Sequence, residues 1–364
     1  MEKIGCFVAS NFQSKQFDSV CSPMIWLVVL TPSFVLFSLI VVIGTIVVFL
    51  SSSVVGVWLG LEVNFLGVIP LIIGSSIMEG EGAMKYFLVQ AVGARLLIIG
   101  CGIGIGSSWD TIGIIVLIFL VSAVLLKIGI FPLCFWVPRV LGLISWFNCF
   151  VVRVWQKLGL IWFLRGLGLG EVMLSLLEIF VVITSIIGGL GGLGVYHYRV
   201  LVAYSSLVHV GWIVIIRVVS SVGFLFYWSL YFLIIGGFII WFYYYGLRTF
   251  SDFVYLKSSF IDKVRGGVYF FSLAGLPPFS GVFLKVLGIM VLLHRFPFVL
   301  FFLMLSSALR LFYYSKVFAV LNLSNFVGFN LWLERGFEKL GLVFVSFILN
   351  CFLGLGVILV YSFI

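Results

Sequence analysis

Charge is what this sequence has least of. Only 9% of its 364 residues are Asp, Glu, Lys or Arg, while 63% are hydrophobic. A soluble domain carries about 25% charged residues, so a large water-facing surface is excluded. Histidine (3) and proline (8) are scarce as well. The six cysteines, Cys6, Cys21, Cys101, Cys134, Cys149 and Cys351, form no CxxC and no Cys/His spacing. No disulfide framework, zinc site, iron–sulfur site or haem attachment is readable from them. Those in or beside apolar runs read as small hydrophobes. Any redox cofactor is therefore expected on other subunits. A Lys/Arg-rich block or aromatic-basic platform is also missing, which argues against nucleic acid as a partner.

What the sequence has in plenty is apolar length. Mean hydropathy is +1.33, and runs long enough to span a bilayer, about 20 residues each, follow one another along the chain. The pattern predicts an all-α polytopic membrane protein with about eleven helices, at 24–50, 54–77, 84–106, 111–133, 148–169, 172–193, 200–219, 222–246, 266–293, 296–321 and 341–363. Residues 24–364 read as a single transmembrane domain. Residues 1–23 read as a polar lead, either a disordered tail or a stretch ahead of a start at Met24; it lacks the Arg-rich, acid-free character of a presequence. The piece at 330–341 reads as interfacial, with Trp332, Leu333 and Phe337 opposite Glu334, Arg335, Glu338 and Lys339. Lys85, Arg139, Arg199, Arg248, Lys257, Lys263, Arg265, Arg335 and Lys339 collect on one side of this scheme. The other side holds Asp110, Arg165 and Glu171. The positive-inside rule then puts the N-terminus in the matrix or cytoplasm and the C-terminus outside. The basic excess, +9, belongs to orientation. Abundant Phe, Gly and Trp (40, 40 and 11) fit a gene biased toward T and G, as organelle genes often are.

Two spans carry breaks. In LLKIGIFPLCFWVPRV (125–140), Gly129, Pro132 and Pro138 follow Lys127; in SLAGLPPFSGVFLKV (272–286), Gly275, Pro277, Pro278 and Gly281 precede Lys285. Proline removes a backbone donor and clashes with the preceding turn. Irregular backbone at membrane depth is tolerated only where protein or water satisfies it. Two interrupted spans in separate halves point to a repeat-built transporter with its ion site at the midplane. The Gly-rich 188–194 lacks the GKS/T ending of a phosphate loop and follows a membrane helix, so helix packing or a helix end is expected there.

Ionisable groups inside the spans are the functional candidates, because a charge near the bilayer centre is costly. Glu62 is the sole acid of its span, roughly 12 Å deep at 1.5 Å per residue. Lys127, Lys157 and Lys285 sit in comparable surroundings. Burial favours the neutral form of a lysine and a nearby carboxylate restores the charge, so a movable acidic partner lets it hold or release a proton. Lys157 lies one turn from Arg153; like charges at that spacing repel, so a counter-ion or wet cavity is expected beside them. Arg153, nearer the helix end, is expected to snorkel. His209, with Tyr204, Ser205 and Ser206, is a possible relay or a helix–helix hydrogen-bond partner. Arg95 and Arg217 are assigned to ion pairing or interface contact.

Six strings now carry a resemblance: WLGLEVNFLGVIP (58–70), KYFLVQA (85–91), LLKIGIFPLCFWVPRV (125–140), WQKLG (155–159), RVLVAYSSLVHVGW (199–212) and LAGLPPFSGVFLKV (273–286). In this order and spacing they resemble the antiporter-like membrane subunits of respiratory complex I. The resemblance implies an inverted-repeat, antiporter-like bundle with two discontinuous helices. It also implies proton pumping driven by NADH-to-ubiquinone electron transfer on partner subunits, which would carry NADH, FMN, iron–sulfur clusters and ubiquinone. The partners implied are the other membrane-arm subunits and the lipid bilayer. Glu62 matches the family's essential helix glutamate, Lys127 and Lys157 its two central lysines, and Lys285 the lysine after the second break. Cys134 stands where the family has histidine, and Arg95 and Arg153 are atypical. The glutamate on the second span resembles the shortened animal form, implying the mitochondrial inner membrane, with the C-terminus in the intermembrane space. A multisubunit cation/proton antiporter subunit and a structural spacer are the competing readings.

Overall fold

The computed structural model describes residues 32–74, 76–105, 112–250, 252, 260–277 and 279–327. The polar lead, the interfacial piece at 330–341, the apolar run at 341–363 and Pro278 lie outside the described residues. Among the described residues twelve helices follow in order: α1 Pro32–Leu50, α2 Val54–Ile72, α3 Ile77–Ile105, α4 Ile112–Ile128, α5 Trp136–Leu141, α6 Trp146–Gly166, α7 Glu171–Gly191, α8 Tyr198–Val219, α9 Ser221–Tyr245, α10 Phe260–Ala274, α11 Gly281–Leu292 and α12 Pro297–Val327. Eight of them are long and apolar enough to cross a membrane. Large apolar side chains such as Leu36, Leu39, Ile43 and Leu50 are exposed on the outside of α1, as expected where lipid replaces water.

Small residues bring the helices close. A Cβ on Gly60 would lie 2.9 Å from the Val48 backbone N and 3.0 Å from the Gly44 carbonyl O, so α1 and α2 pack backbone to backbone. The glycines at 188–189 do the same between α7 and its neighbours: a Cβ on Gly188 would meet the Tyr204 carbonyl at 2.8 Å, and one on Gly189 the Ser306 carbonyl at 3.2 Å. The helix-packing expectation for that stretch holds. At the centre runs α8, packed against α5, α6, α7, α9, α11 and α12 and buried along most of its length.

One end of the bundle is stitched by loop hydrogen bonds. Asn148 donates to Leu71 O (2.7 Å), Arg199 to Ile144 O (2.8 Å) and Trp146 Nε1 to Leu247 O (3.1 Å). An isolated bridge joins His197 to Thr249. Arg139 and Arg248 are exposed, Arg139 on α5 and Arg248 beside Thr249.

The expected spans are corrected in several places. The segment 78–83, expected as a break, is helical: Ser76 Oγ accepts from Glu79 N–H at 3.3 Å, and Glu81 pairs with Lys85 at 2.5 Å one turn on. Lys85 therefore lies about two turns inside α3 and not at the start of its helix. Arg265 likewise lies inside α10 and is buried, because that helix starts at Phe260 instead of 266. The run 111–133 stops at Ile128, and 266–293 is divided between α10 and α11. Pro138 sits in the first turn of the short α5, where its missing N–H is harmless.

Both breaks end in the same way. Gly129 (φ +83°) and Gly275 (φ +72°) take the left-handed conformation that favours glycine. Just beyond them, Ile130 N–H bonds Leu125 O at 2.9 Å and Leu276 N–H bonds Phe271 O at 3.1 Å, the six-to-one bond of a Schellman ending. Gly129→Ala should destabilise the chain by about 1–2 kcal/mol from the backbone alone. A further contribution follows from a Cβ only 2.5 Å from Val137 Cγ2. Gly113→Ala, in a helical position with nothing within 4 Å, should be neutral or mildly stabilising. Thermal denaturation of the two variants in lipid nanodiscs checks the opposite signs.

Candidate functional site: a mid-depth row of buried ionisable groups

The first member of the row is an ion pair. Glu62, near the middle of α2, and Lys127, in the last turn of α4, approach to 3.8 Å. That separation is an ion pair too long for a hydrogen bond. The lysine side chain is 2% exposed and the Glu62 side chain 25%, with the Oε1 that faces the lysine buried, so the acid lies partly open at the edge of the described chain. The break makes room for the pair. Lys127 gains from the negative end of α4. The carbonyls freed there are taken by side chains: Leu126 O accepts from Trp136 Nε1 (3.1 Å) and Lys127 O from Gln90 Nε2 (3.4 Å). Opposite, Gly93 clears the lysine stem; a Cβ there would sit 2.6 Å from Lys127 Cγ.

A polar bridge leads inward from this pair. Tyr86, one turn before Gln90 on α3, donates to Gln156 Oε1 at 3.4 Å, and Gln156 Nε2 donates to Asn64 Oδ1 at 2.7 Å. Asn64 is two residues from Glu62, and Gln156 adjoins Lys157. Sequence reasoning quoted the strings holding Asn64, Tyr86, Gln90 and Gln156 without giving these residues a role. Amides in otherwise apolar runs were the available signal.

Lys157 and His209 are brought to one cavity, whose wall also includes Arg153, Ser206 and Tyr231. A small cavity thus lies beside Arg153 and Lys157, where the like-charge spacing predicts a counter-ion or a wet cavity. Just before Lys157, α6 widens into a π-helical turn, Val151–Trp155, a feature often found at functional sites. The snorkelling expected of Arg153 is overturned. It is 1% exposed and turns inward, donating through Nη2 to Ser205 Oγ and Tyr231 Oη, both at 3.4 Å. Polar groups on α8 and α9 take the head that would otherwise seek water. His209 Nδ1 lies 3.0 Å from Tyr227 Oη, and Nε2 contacts Arg310. Arginine can only donate, so Nε2 accepts and the imidazole proton is on Nδ1, directed at Tyr227. Arg310 was missed in the sequence, although it is a lone cation in an apolar run like the others.

Lys285, half-buried on α11, lies against the second break; a Cβ on Gly275 would meet its Cε at 2.6 Å. Each break therefore adjoins a lysine. Lys157 forms no ion pair with Glu62; it is Lys127 that Glu62 meets. Arg217 stacks 3.9 Å over Trp162, an interhelical contact, whereas Arg95 is exposed on α3. Cys101, Cys134 and Cys149 are free thiols, and among the described residues no group of three His, Cys, Asp or Glu is placed to hold a metal.

Broken helices bordering buried ionisable groups define a class, the polytopic membrane proteins that handle ions. The chain belongs to the family described as NADH:quinone oxidoreductase/Mrp antiporter, TM, whose pattern matches residues 51–310. It is similar to NADH-ubiquinone oxidoreductase chain 2 of Lumbricus terrestris, 30% identical over 79% of this chain and 86% of that one. Its fold is similar to a chain of respiratory complex I from Thermus thermophilus, with TM-score 0.76, 20% identity, and 89% of this chain and 78% of that one covered. A chain of the Mrp complex from Dietzia sp. DQ12-45-1b gives TM-score 0.75, 17% identity, and coverage of 89% and 75%.

The bridge predicts a measurable coupling. Gln156→Leu leaves Asn64 Oδ1 buried without its donor and should cost about 1–3 kcal/mol. Adding Asn64→Leu should restore part of that loss, as expected for residues in contact. Unfolding in nanodiscs of the two single variants and the double variant reads the coupling directly; strict additivity would remove the bridge.

Proposed function

We propose that this chain is a proton-translocating membrane subunit of respiratory complex I, multi-pass in the mitochondrial inner membrane. Electrons pass from NADH to ubiquinone on partner subunits, through FMN and iron–sulfur clusters that this chain does not supply. Its own residues move protons. The reading rests on relatives named NADH-ubiquinone oxidoreductase chain 2 that align along most of the chain. The observation that carries the site is the Glu62–Lys127 pair beside a helix break.

In the proposed cycle Lys127 holds its proton while Glu62 is near and ionised. When Glu62 moves or is neutralised, the lysine loses its counter-charge and its proton passes inward past Gln90, Tyr86 and Gln156 to Lys157. His209 relays between Lys157 and Lys285: its Nε2 is freed from Arg310, which only donates a hydrogen bond, and accepts a proton as Nδ1 releases one toward Tyr227. The finer architecture belongs to the same proposal: residues 24–364 as one domain, eleven spans, two halves related as an inverted repeat, N-terminus in the matrix and C-terminus in the intermembrane space. The matched Schellman endings at Gly129 and Gly275 favour the repeat.

Glu62→Gln, introduced in the assembled complex, should lower the rate of proton pumping at least about tenfold, equivalent to about 1.4 kcal/mol, with NADH oxidation still measurable. Unchanged protons per electron pair at an unchanged rate would sink the role of Glu62. A purely structural pair predicts instead that Glu62→Leu with Lys127→Leu together leaves pumping intact. The likeness to an Mrp chain favours the second reading, a multisubunit cation/proton antiporter subunit. Affinity purification separates the two, since only complex I should bring flavin and iron–sulfur subunits with this chain.

A further inference from the structure

Among the described residues three buried cations stand together without an acid. Arg153, Lys157 and Arg310 are 1%, 6% and 2% exposed. Arg310 and Arg153, with Lys157 and Lys285, lie close enough to His209 for their charges to act on it. The groups that receive their hydrogen bonds are neutral: Ser205, Tyr231 and the accepting nitrogen of His209. Arg153 Nε and Nη1, Lys157 Nζ and Arg310 Nε are buried without a hydrogen-bond partner. None of the described carboxylates pairs with them: Glu62 is engaged by Lys127, Asp252 accepts from backbone N–H groups at the bundle end, and Glu178 is partly exposed on α7.

Positive charge concentrated in a low-dielectric interior is strongly unfavourable unless an opposite charge accompanies it. Neutral hydroxyls and an imidazole do not balance it. Arg153 and Lys157 both line the cavity described above, and its volume of about 10 Å³ matches a single water-sized occupant. A phosphate, a sulfate or a lipid headgroup is too large for this space between α6, α8 and α9. The occupant that satisfies both size and charge is spherical, monovalent and an acceptor only.

We propose that this cavity is a binding site for one small monovalent inorganic anion, chloride in the cell, held by Arg153 and Lys157 with Ser206 and Tyr231 on its wall. The anion is the counter-ion that a lysine one turn from an arginine requires. It serves the second half of the row as Glu62 serves the first. The site stands on the placement of charges and does not depend on the direction of proton movement.

Bromide is the probe. Crystals of the assembled complex are prepared with bromide replacing chloride over a concentration series, and diffraction is recorded at the bromine edge. The expected result is one saturable anomalous peak between Arg153 and Lys157. In Arg153→Met, which removes a charged donor, the bromide concentration for half-occupancy should rise at least about tenfold. Arg217→Met, at the far end of α8, should leave the peak unchanged. Absence of the peak at saturating bromide overturns the site, and so does an undiminished peak in Arg153→Met or an equal loss in Arg217→Met. Peaks confined to exposed arginines would mark an adventitious ion only and would also overturn it. Should Arg153→Met fail to assemble, the unaltered complex decides by itself.

Discussion

A backbone carbonyl at membrane depth has no water to turn to, and that constraint governs this structure. Where α4 stops, Leu125 O keeps the Gly129 N–H and also takes that of Ile130, and the two carbonyls beyond it find side chains: Leu126 O the Trp136 indole and Lys127 O the Gln90 amide. Those partners come from the break itself, from α5 and from α3. Satisfying the helix end therefore fixes how three segments sit, and with them the ammonium of Lys127. Glu62 reaches it from α2, 3.8 Å away. The charged pair is a consequence of backbone accounting, and the same ending recurs at Gly275, where Lys285 lies.

Positive charge is met in two ways along the row. At one end a carboxylate stands 3.8 Å from an ammonium, without a direct hydrogen bond to hold them together. A loose pair of this kind separates at modest cost, which suits a switch better than a tight one. Further in, Arg153 and Arg310 are fixed cations, since guanidinium groups do not deprotonate in proteins. Lys157 and His209 share their surroundings with these fixed charges, and tyrosine and serine hydroxyls fill the remaining polar positions. The amide bridge of Asn64, Gln156 and Tyr86 connects the two regimes with groups that carry no charge at all.

Much of this was legible in the sequence because lipid leaves few alternatives. Glu62, Lys127, Lys157, His209 and Lys285 stood out as polar groups in apolar runs, and Gly129 and Gly275 marked the breaks correctly. Pairing was not legible, since the contact of Glu62 with Lys127 depends on how α2, α3 and α4 pack. The direction of Arg153 was misread because proximity to a helix end says nothing about which polar groups wait on neighbouring helices. Arg310 follows the rule that identified the other cations and was passed over. The helical start of α3 was hidden by two glycines and two glutamates whose local capping and i,i+4 pairing outweigh their poor propensity.

The partial exposure of Glu62 has a consequence for what counts as the working unit. Its ammonium partner is sealed inside, yet a quarter of the carboxylate side chain opens on the surface of the chain. Whatever borders that surface, lipid or another polypeptide, helps set the local field felt by the acid. A change of charge or contact on that surface would alter the field at Lys127, 3.8 Å from the acid. A signal could cross from one subunit to its neighbour as a change in a single carboxylate, without any helix having to move across the boundary.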